Sequence, residues 1–372
     1  MFNDKRRRGY AVGLSIALAL LALAALLGRA AETSAPVAKV VTFPRDMSAR
    51  DWSRMRRRAR IEPPVQGAPI GTSTPRDSLL AALPASFDRM ALVIEANALV
   101  NSPVGGLILD CLSAALPEMT QGFARAGVDI RTQLDRIALV DDMMVVGGEF
   151  GAAHLERLVG EGQPEKHGVR GRLYGPREGG GDILGVWGDN IAVFGSSREQ
   201  VVAALDKLEA PYKPEESPLS PLESYGDIFG VMSPSALGLL VGDGGSAGNS
   251  SLPGKLSELA SKIKLHMDVA EDAALVVDVD GQGASQANDL AHAFGGAVAM
   301  ARAQALTRGD QHLASVLEQA RAVPDPSGRT RMELPVPSSI LQDRLRACAQ
   351  GRHANPALSA RVPDGAGMVG VR

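Results

Sequence analysis

Lys262-Ile263-Lys264-Leu265-His266-Met267-Asp268-Val269 places an apolar residue at every second position, and the chain repeats the device twice more. Leu275, Val277 and Val279 alternate with Val276, Asp278 and Asp280. Thr330, Met332, Leu334 and Val336 alternate with Arg329, Arg331, Glu333 and Pro335. Successive side chains of a strand point to opposite faces. A period of two with one polar set therefore describes an antiparallel sheet, packed on one side and wet on the other. The packing partner lies between the second and third of these strands. Leu290, Phe294, Ala297, Val298, Ala301 and Ala305 mark a long helix, and Leu313, Val316, Leu317 and Ala320 a shorter one. A last helix starts at Ser338 or Ser339, with Gln342 as the far half of a capping box.

The preceding half reads on the same loose plan of strand, helix, antiparallel strands, helix. Ala91 to Asn97 is a strand, and a helical pattern runs from Val104 to near Gly127, interrupted before Pro117. Arg136 to Val140 and Met143 to Phe150 flank a turn at Asp141-Asp142, and a short helix covers Ala152 to Val159. Val169 to Tyr174 is a strand. Ile183 to Trp187 and Ile191 to Phe194 form a hairpin over Gly188-Asp189-Asn190. Ser196 with Glu199 predicts a capping box for a helix carrying Val201, Val202, Leu205 and Leu208. The expected fold class is α+β: two similar units, each an antiparallel sheet with helices packed on one face, after an N-terminal apolar helix.

That apolar segment is Ala11 to Gly28, eighteen uncharged residues behind Lys5, Arg6, Arg7 and Arg8. A basic head and an apolar run form an export signal, and the length reaches the roughly 17–25 residues that span a bilayer. Basic residues stay on the cytoplasmic side, so the body is expected in the periplasm, tethered by a single pass through the inner membrane. Small residues at Gly28-Arg29-Ala30 leave the alternative of cleavage near Ala30 and a secreted or soluble periplasmic product.

The division expected is residues 1–30 signal peptide or membrane anchor, 31–86 Pro/Arg-rich linker, 87–210 first unit, 211–224 Pro-rich connector, 225–350 second unit and 351–372 disordered tail. Inside the linker Arg50, Arg54, Arg56, Arg57, Arg58 and Arg60 form a basic run with Trp52 interleaved. Such a run suits an anionic lipid surface or another envelope polyanion; a solvated tether is the plain alternative.

The chain of 372 residues is 45% apolar but only 4% aromatic, so its core is aliphatic. A net charge of −3 argues against a dedicated nucleic-acid binder. Gly254-Lys255 fails as a phosphate loop, because Asn249 stands where a glycine is needed and Leu256 where Ser or Thr should ligate magnesium. The histidines (His154, His167, His266, His292, His312 and His353) have no metal-ligand spacing. Asp278 and Asp280 project from one strand face about 7 Å apart, which also describes any solvent-facing strand, and Arg329 and Arg331 are expected beside them. No serine sits in a nucleophile motif. No catalytic, cofactor-binding or metal residue is therefore assigned, and no cofactor is implied. Cys111 and Cys348 fall on helical apolar stripes and read as small buried hydrophobes, although an exported chain can oxidise such a pair.

Leu92-Val93-Ile94-Glu95-Ala96-Asn97, Leu134 to Ala138 with Met144 to Gly148, and Arg331 to Leu341 resemble uncharacterised signal-anchored or secreted α+β repeat proteins of Gram-negative, myxobacterium-like bacteria. The resemblance spans roughly residues 88–348 and implies an envelope address and no assigned activity. The expectation is a non-enzymatic envelope protein that binds an unidentified protein partner or ligand. One alternative is a periplasmic carrier of a hydrophobic ligand such as a lipid, with Met90, Met119, Met143, Met144 and Met300 as adaptable lining. The other is a hydrolase with a dispersed site.

Overall fold

The computed structural model describes residues 43, 48–54, 77–115, 117–151, 153–159, 163–175, 183–210, 217–220, 223–234, 236, 260–269, 272–281 and 283–349. The apolar segment 11–28, Arg56, Arg57, Arg58, Arg60, the Gly254-Lys255 loop, His353 and the C-terminal tail lie outside them.

The described chain builds one continuous antiparallel sheet of twelve strands. In chain order they are β1 (Met90–Ile94), β2 (Leu134–Val140), β3 (Met143–Gly148), β4 (Glu165–His167), β5 (Gly171–Tyr174), β6 (Ile183–Trp187), β7 (Ile191–Gly195), β8 (Ile228–Met232), β9 (Ala260–Asp268), β10 (Ala273–Gly281), β11 (Arg321–Pro324) and β12 (Arg329–Val336). Their spatial order is β11-β12-β10-β9-β8-β1-β2-β3-β7-β6-β5-β4. The sheet is thus shared by both halves of the chain and is not two separate sheets. The halves meet where β1 pairs with β8, Leu92 opposite Gly230. A side chain at Gly230 would stand 2.4 Å from the Ala91 carbonyl oxygen, so glycine permits this seam.

The helices are α1 (Ser78–Ala81), α2 (Ala96–Val100), α3 (Pro103–Ala115), α4 (Pro117–Arg125), α5 (Arg198–Glu209), α6 (Ala284–Thr307), α7 (Gln311–Glu318) and α8 (Ser338–Ala349). One sheet face carries Leu92, Ile94, Leu139, Met267 and Leu275, and it packs with residues of α3, α7 and α8. Leu290 of α6 joins Ile263, Val279 and Met332 on the same face. The opposite face carries Val93, Ala138, Val145 and Val193, covered by Leu79 and Leu80 of α1 and by Val201, Leu205 and Leu208 of α5. Helices therefore lie on both faces of the first half, where one face was expected. The reason is composition: β2, β3, β6 and β7 bury residues of both parities, so each face needs a lid.

Several local readings change. Residues 77–83 belong to the body, not the linker: Leu79, Leu80 and Leu83 are fully buried, and Asp77 caps α1 by accepting the Leu80 N–H. Ser196 is not the cap of α5. Ser197 holds that position and its hydroxyl donates to Glu199, while Ser196 donates to Asp142. Gln342 accepts from Arg346, and the Ser338 N–H is taken by Asp272, so α8 has no capping box. The helix expected at 152–159 is a single 3₁₀ turn, Leu155–Leu158. β9 begins at Ala260, two residues ahead of the alternation that starts at Lys262, and β11 has no counterpart in the periodicity. The turn at Asp141 holds as read. Its φ is +51°, and its carboxylate accepts the N–H groups of Asp88, Arg89 and Met90.

The two cysteines form a disulfide, with Cα atoms 5.1 Å apart. Their helical apolar stripes favour two separate buried hydrophobes. Cys111 is fully buried and Cys348 half-buried against the same core, because α3 and α8 lie against each other and bring the two sulfurs together. That juxtaposition comes from tertiary packing and has no trace in a sequence separation of 237.

Candidate functional site: the charged face of the second half

The polar residues of β9, β10 and β12 share the sheet face that is apolar in the first half. Their register puts opposite charges side by side. Lys264 faces Asp278, which faces Arg331; Lys262 faces Asp280, which faces Arg329; His266 faces Val276, which faces Glu333. Arg329 Nε donates to Asp280 at 3.2 Å and Arg331 Nε to Glu333 at 3.1 Å. Lys264 Nζ lies 2.9 Å from Glu223 and 3.4 Å from Asp280. The expected neighbours of Asp278 and Asp280 are thus in place. One expectation fails: Asp278 is not solvent-facing but 4% exposed. Its Oδ2 lies 3.6 Å from Arg331 and its Oδ1 has no hydrogen-bond partner. Burial raises its pKa, against Arg331 and Arg329, which lower it.

Residues 223–227 supply what covers part of this face. Tyr225 lies flat on His266, ring centroids 3.8 Å apart, and its carbonyl lies 3.3 Å from His266 Nδ1. Burial pushes the imidazole pKa down to about 4, helped by Arg331 and Lys264 and opposed by the Tyr225 carbonyl and Glu223. At neutral pH His266 is an uncharged core group. Of the other histidines, His167 Nε2 pairs with Asp206 at 2.8 Å, and His154 Nδ1 lies 3.1 Å from Glu156. Among the described residues no group of three or more His, Cys, Asp or Glu is arranged to hold a metal.

At the β1–β8 end, the basic run meets the body. Residues 49–54 form a short helical stretch whose start is held by Asp51, which accepts the Ser48 N–H and hydroxyl. Arg54 Nη2 donates to Asp227 at 2.7 Å and Nη1 to the Gly226 carbonyl at 3.2 Å. Arg50 donates to Asp268 at 2.8 Å and lies 3.3 Å from Asp227. The Gly226 N–H reaches back to Asp51. The two body carboxylates respond oppositely. Asp227, burial opposing, is held below the usual carboxylate range by the Val269 N–H, by Asp268 and by Arg54; Asp268 is pushed up by burial and by Asp227. Of the six arginines singled out as a lipid contact, Arg50 and Arg54 are thus turned onto the protein's own carboxylates.

A second buried charge lies on the first-half side. Arg136 makes a bidentate pair with Asp77 at 2.7 Å to each oxygen, tying α1 to β2. The methionines considered as a carrier's lining do not converge: Met90 and Met143 lie in different core clusters, and Met300 is 61% exposed on α6. Nothing is described of the Met119 side chain. Among the described residues no helix is long and apolar enough to cross a membrane.

No family model and no curated protein matches the chain. A solved structure described as "Structure of crystal form I of TP0453" overlaps 74% of this chain and 98% of its own, at 10% identity and a TM-score of 0.38, a likeness too slight to carry an argument.

Proposed function

We propose that the protein is a non-enzymatic envelope protein, tethered in the inner membrane by residues 11–28, whose α+β body binds a partner in the periplasm. The Cys111–Cys348 disulfide carries this reading. Such bonds persist in oxidising compartments and are rare in the reducing cytosol. The basic head and apolar run supply the route out. A binding role rather than catalysis is supported by the pairing on the charged face of Lys264 with Glu223, Arg329 with Asp280 and Arg331 with Glu333.

The body is further read as a duplicated unit. β1, β2 and β3 run outward from the central seam in one direction and β8, β9 and β10 in the other, all antiparallel, with helices α2 to α4 in the connection after β1. A strand, a helical excursion and an antiparallel pair repeated in order would give this mirrored arrangement.

The test is made on the full chain in a Gram-negative host. Membranes are washed with carbonate, and thiols are alkylated before and after reduction. The expected result is retention in the washed membrane and alkylation of Cys111 and Cys348 only after reduction. Free thiols, together with a C-terminal reporter active only in the cytosol, would overturn the address. Crosslinking in the native envelope then seeks the partner; a body that crosslinks to nothing above background refutes the binding role.

A further inference from the structure

We infer that residues 48–54 are a releasable strap that shortens the tether between the membrane and the body, by docking Arg50 and Arg54 on Asp227 and Asp268. The tether half of this inference rests on the reading of residues 11–28 as an anchor; the strap itself does not.

The contact is made of charge. Arg54 and Asp51 are the buried side chains of the segment, and Trp52, its large apolar residue, is 41% exposed. Among the described residues the links between segment and body are ion pairs and polar hydrogen bonds: Arg50 to Asp268 and Asp227, Arg54 to Asp227 and Gly226, Gly226 to Asp51. A segment held by apolar burial would stay bound at any ionic strength. Of the strap's pairs, those of Arg50 are partly exposed, 40% on the arginine side, and are weakened by salt and competed by other charges, while the buried Arg54–Asp227 pair is screened less. The receiving surface is built for cations: Asp227 and Asp268 flank each other at the ends of β8 and β9, and burial makes two uncompensated charges there costly. The strap therefore satisfies the body as much as the body holds the strap.

The position of the segment gives it a consequence. With the strap docked, the chain from 29 to 48 spans at most roughly 70 Å. With it released, the chain from 29 to 77, where the body begins at the cap of α1, spans at most roughly 170 Å. Docking thus sets how far the body can travel from its membrane.

The test uses the full chain in detergent and a protease that cuts after aromatic residues, reading cleavage between Trp52 and Ser53. In wild type at low salt the cut is slow. R50Q/R54Q, which alters the strap and leaves the sheet intact, is expected to speed it at least tenfold, and half-molar salt to speed wild type several-fold. D227N/D268N, which keeps side-chain shape, should act like R50Q/R54Q while the body's melting temperature moves little. Cleavage unchanged in R50Q/R54Q and insensitive to salt overturns the strap. In vesicles with a headgroup acceptor dye and a donor on the C-terminus, R50Q/R54Q should lower energy transfer relative to wild type, and equal transfer overturns the tether. If the wild-type chain does not partition into vesicles at all, the anchor reading fails while the cleavage result still decides the strap.

Discussion

The same face of the same sheet is finished in two ways. On the β2-β3-β7-β6 side it is aliphatic and lies under α1 and α5. On the β9-β10-β12 side it is a ladder of alternating charges under a short loop. An aliphatic face is worth burying only if something apolar covers it, and the gain grows with area, about 25 cal/mol per Å². A charged face needs no lid, because cross-strand pairs of opposite sign satisfy one another, each worth roughly 0.2–1 kcal/mol. The first solution is strong and intolerant of changes in shape. The second is weak per pair and tolerates them. Where the ladder is nevertheless buried, at His266 and Asp278, it ought to respond to pH.

The largest effect is expected in the aliphatic half. Leu205 is fully buried between α5 and the strands, and Leu205→Ala should cost about 2–5 kcal/mol in denaturant unfolding. A loss under about 1 kcal/mol would mean that α5 is a loosely held lid and would erase the contrast. The matching substitution on the ladder, Lys262→Ala, should cost less than about 1 kcal/mol.

His266 comes next. Its folded pKa, about 4, lies below an ordinary imidazole's 6.5. The unfolded chain therefore binds the proton first. The stability contribution of the neutral ring is complete above pH 6.5, and is lost as pH falls from there toward 4. The shift amounts to about 3 kcal/mol across that window. His266→Phe keeps a ring against Tyr225 and removes the proton. Its stability should therefore vary less between pH 6.5 and 4 than wild type's, whatever its baseline. Parallel pH profiles for the two would show that the imidazole is wetter than its packing implies.

Gly185 tests the intolerance of the aliphatic half from the other side. On β6 it lies under α5, and an added Cβ would stand 2.7 Å from Val201 Cγ1 and 3.2 Å from Leu205 Cδ1. Gly185→Ala should cost about 1–3 kcal/mol by overpacking, read as a lower melting temperature with unchanged folded spectra. A neutral result would mean the helix shifts outward freely.

These contrasts explain what could be read in advance. The ladder was legible because strand alternation is local: Lys264, Asp278 and Arg331 declare their face by their neighbours in sequence, and their pairing follows from antiparallel order. Strands β1, β2, β3, β6 and β7 were legible from β-branched runs and turn residues. Three things were not. α1 is four residues long, too short for a period, and sits in a Pro-rich stretch. The single sheet depends on the β1–β8 pairing, a contact across more than a hundred residues that leaves only Gly230 as a sign. The docking of Arg50 and Arg54 was hidden because a basic run in a linker looks the same whether its acid partners are lipids or Asp227 and Asp268. Asp227 precedes a strand and Asp268 ends one, and neither position announces a receptor for a cation.

The smallest effect is the sharpest test of the ladder. Asp278 is buried, with one oxygen unpartnered and the other 3.6 Å from Arg331. If the carboxylate were the keystone of the face, Asp278→Asn would leave Arg331 short of a partner and cost several kcal/mol. But Arg331 also donates to Glu333 at 3.1 Å, and burial already disfavours the Asp278 charge. The amide fills the same space without that charge. The expected change at pH 7 is therefore within about 1 kcal/mol, toward zero or slight stabilisation. The sign can be checked on the acid side. A raised folded pKa means that the native state takes up its proton before the unfolded chain does. Wild type should then gain on the Asn variant as pH falls, because protonated Asp278 becomes the neutral group that Asn already is. A wild-type advantage of several kcal/mol at pH 7 that is lost on acidification would return Asp278 to the role of keystone and make the charged face as demanding as the aliphatic one.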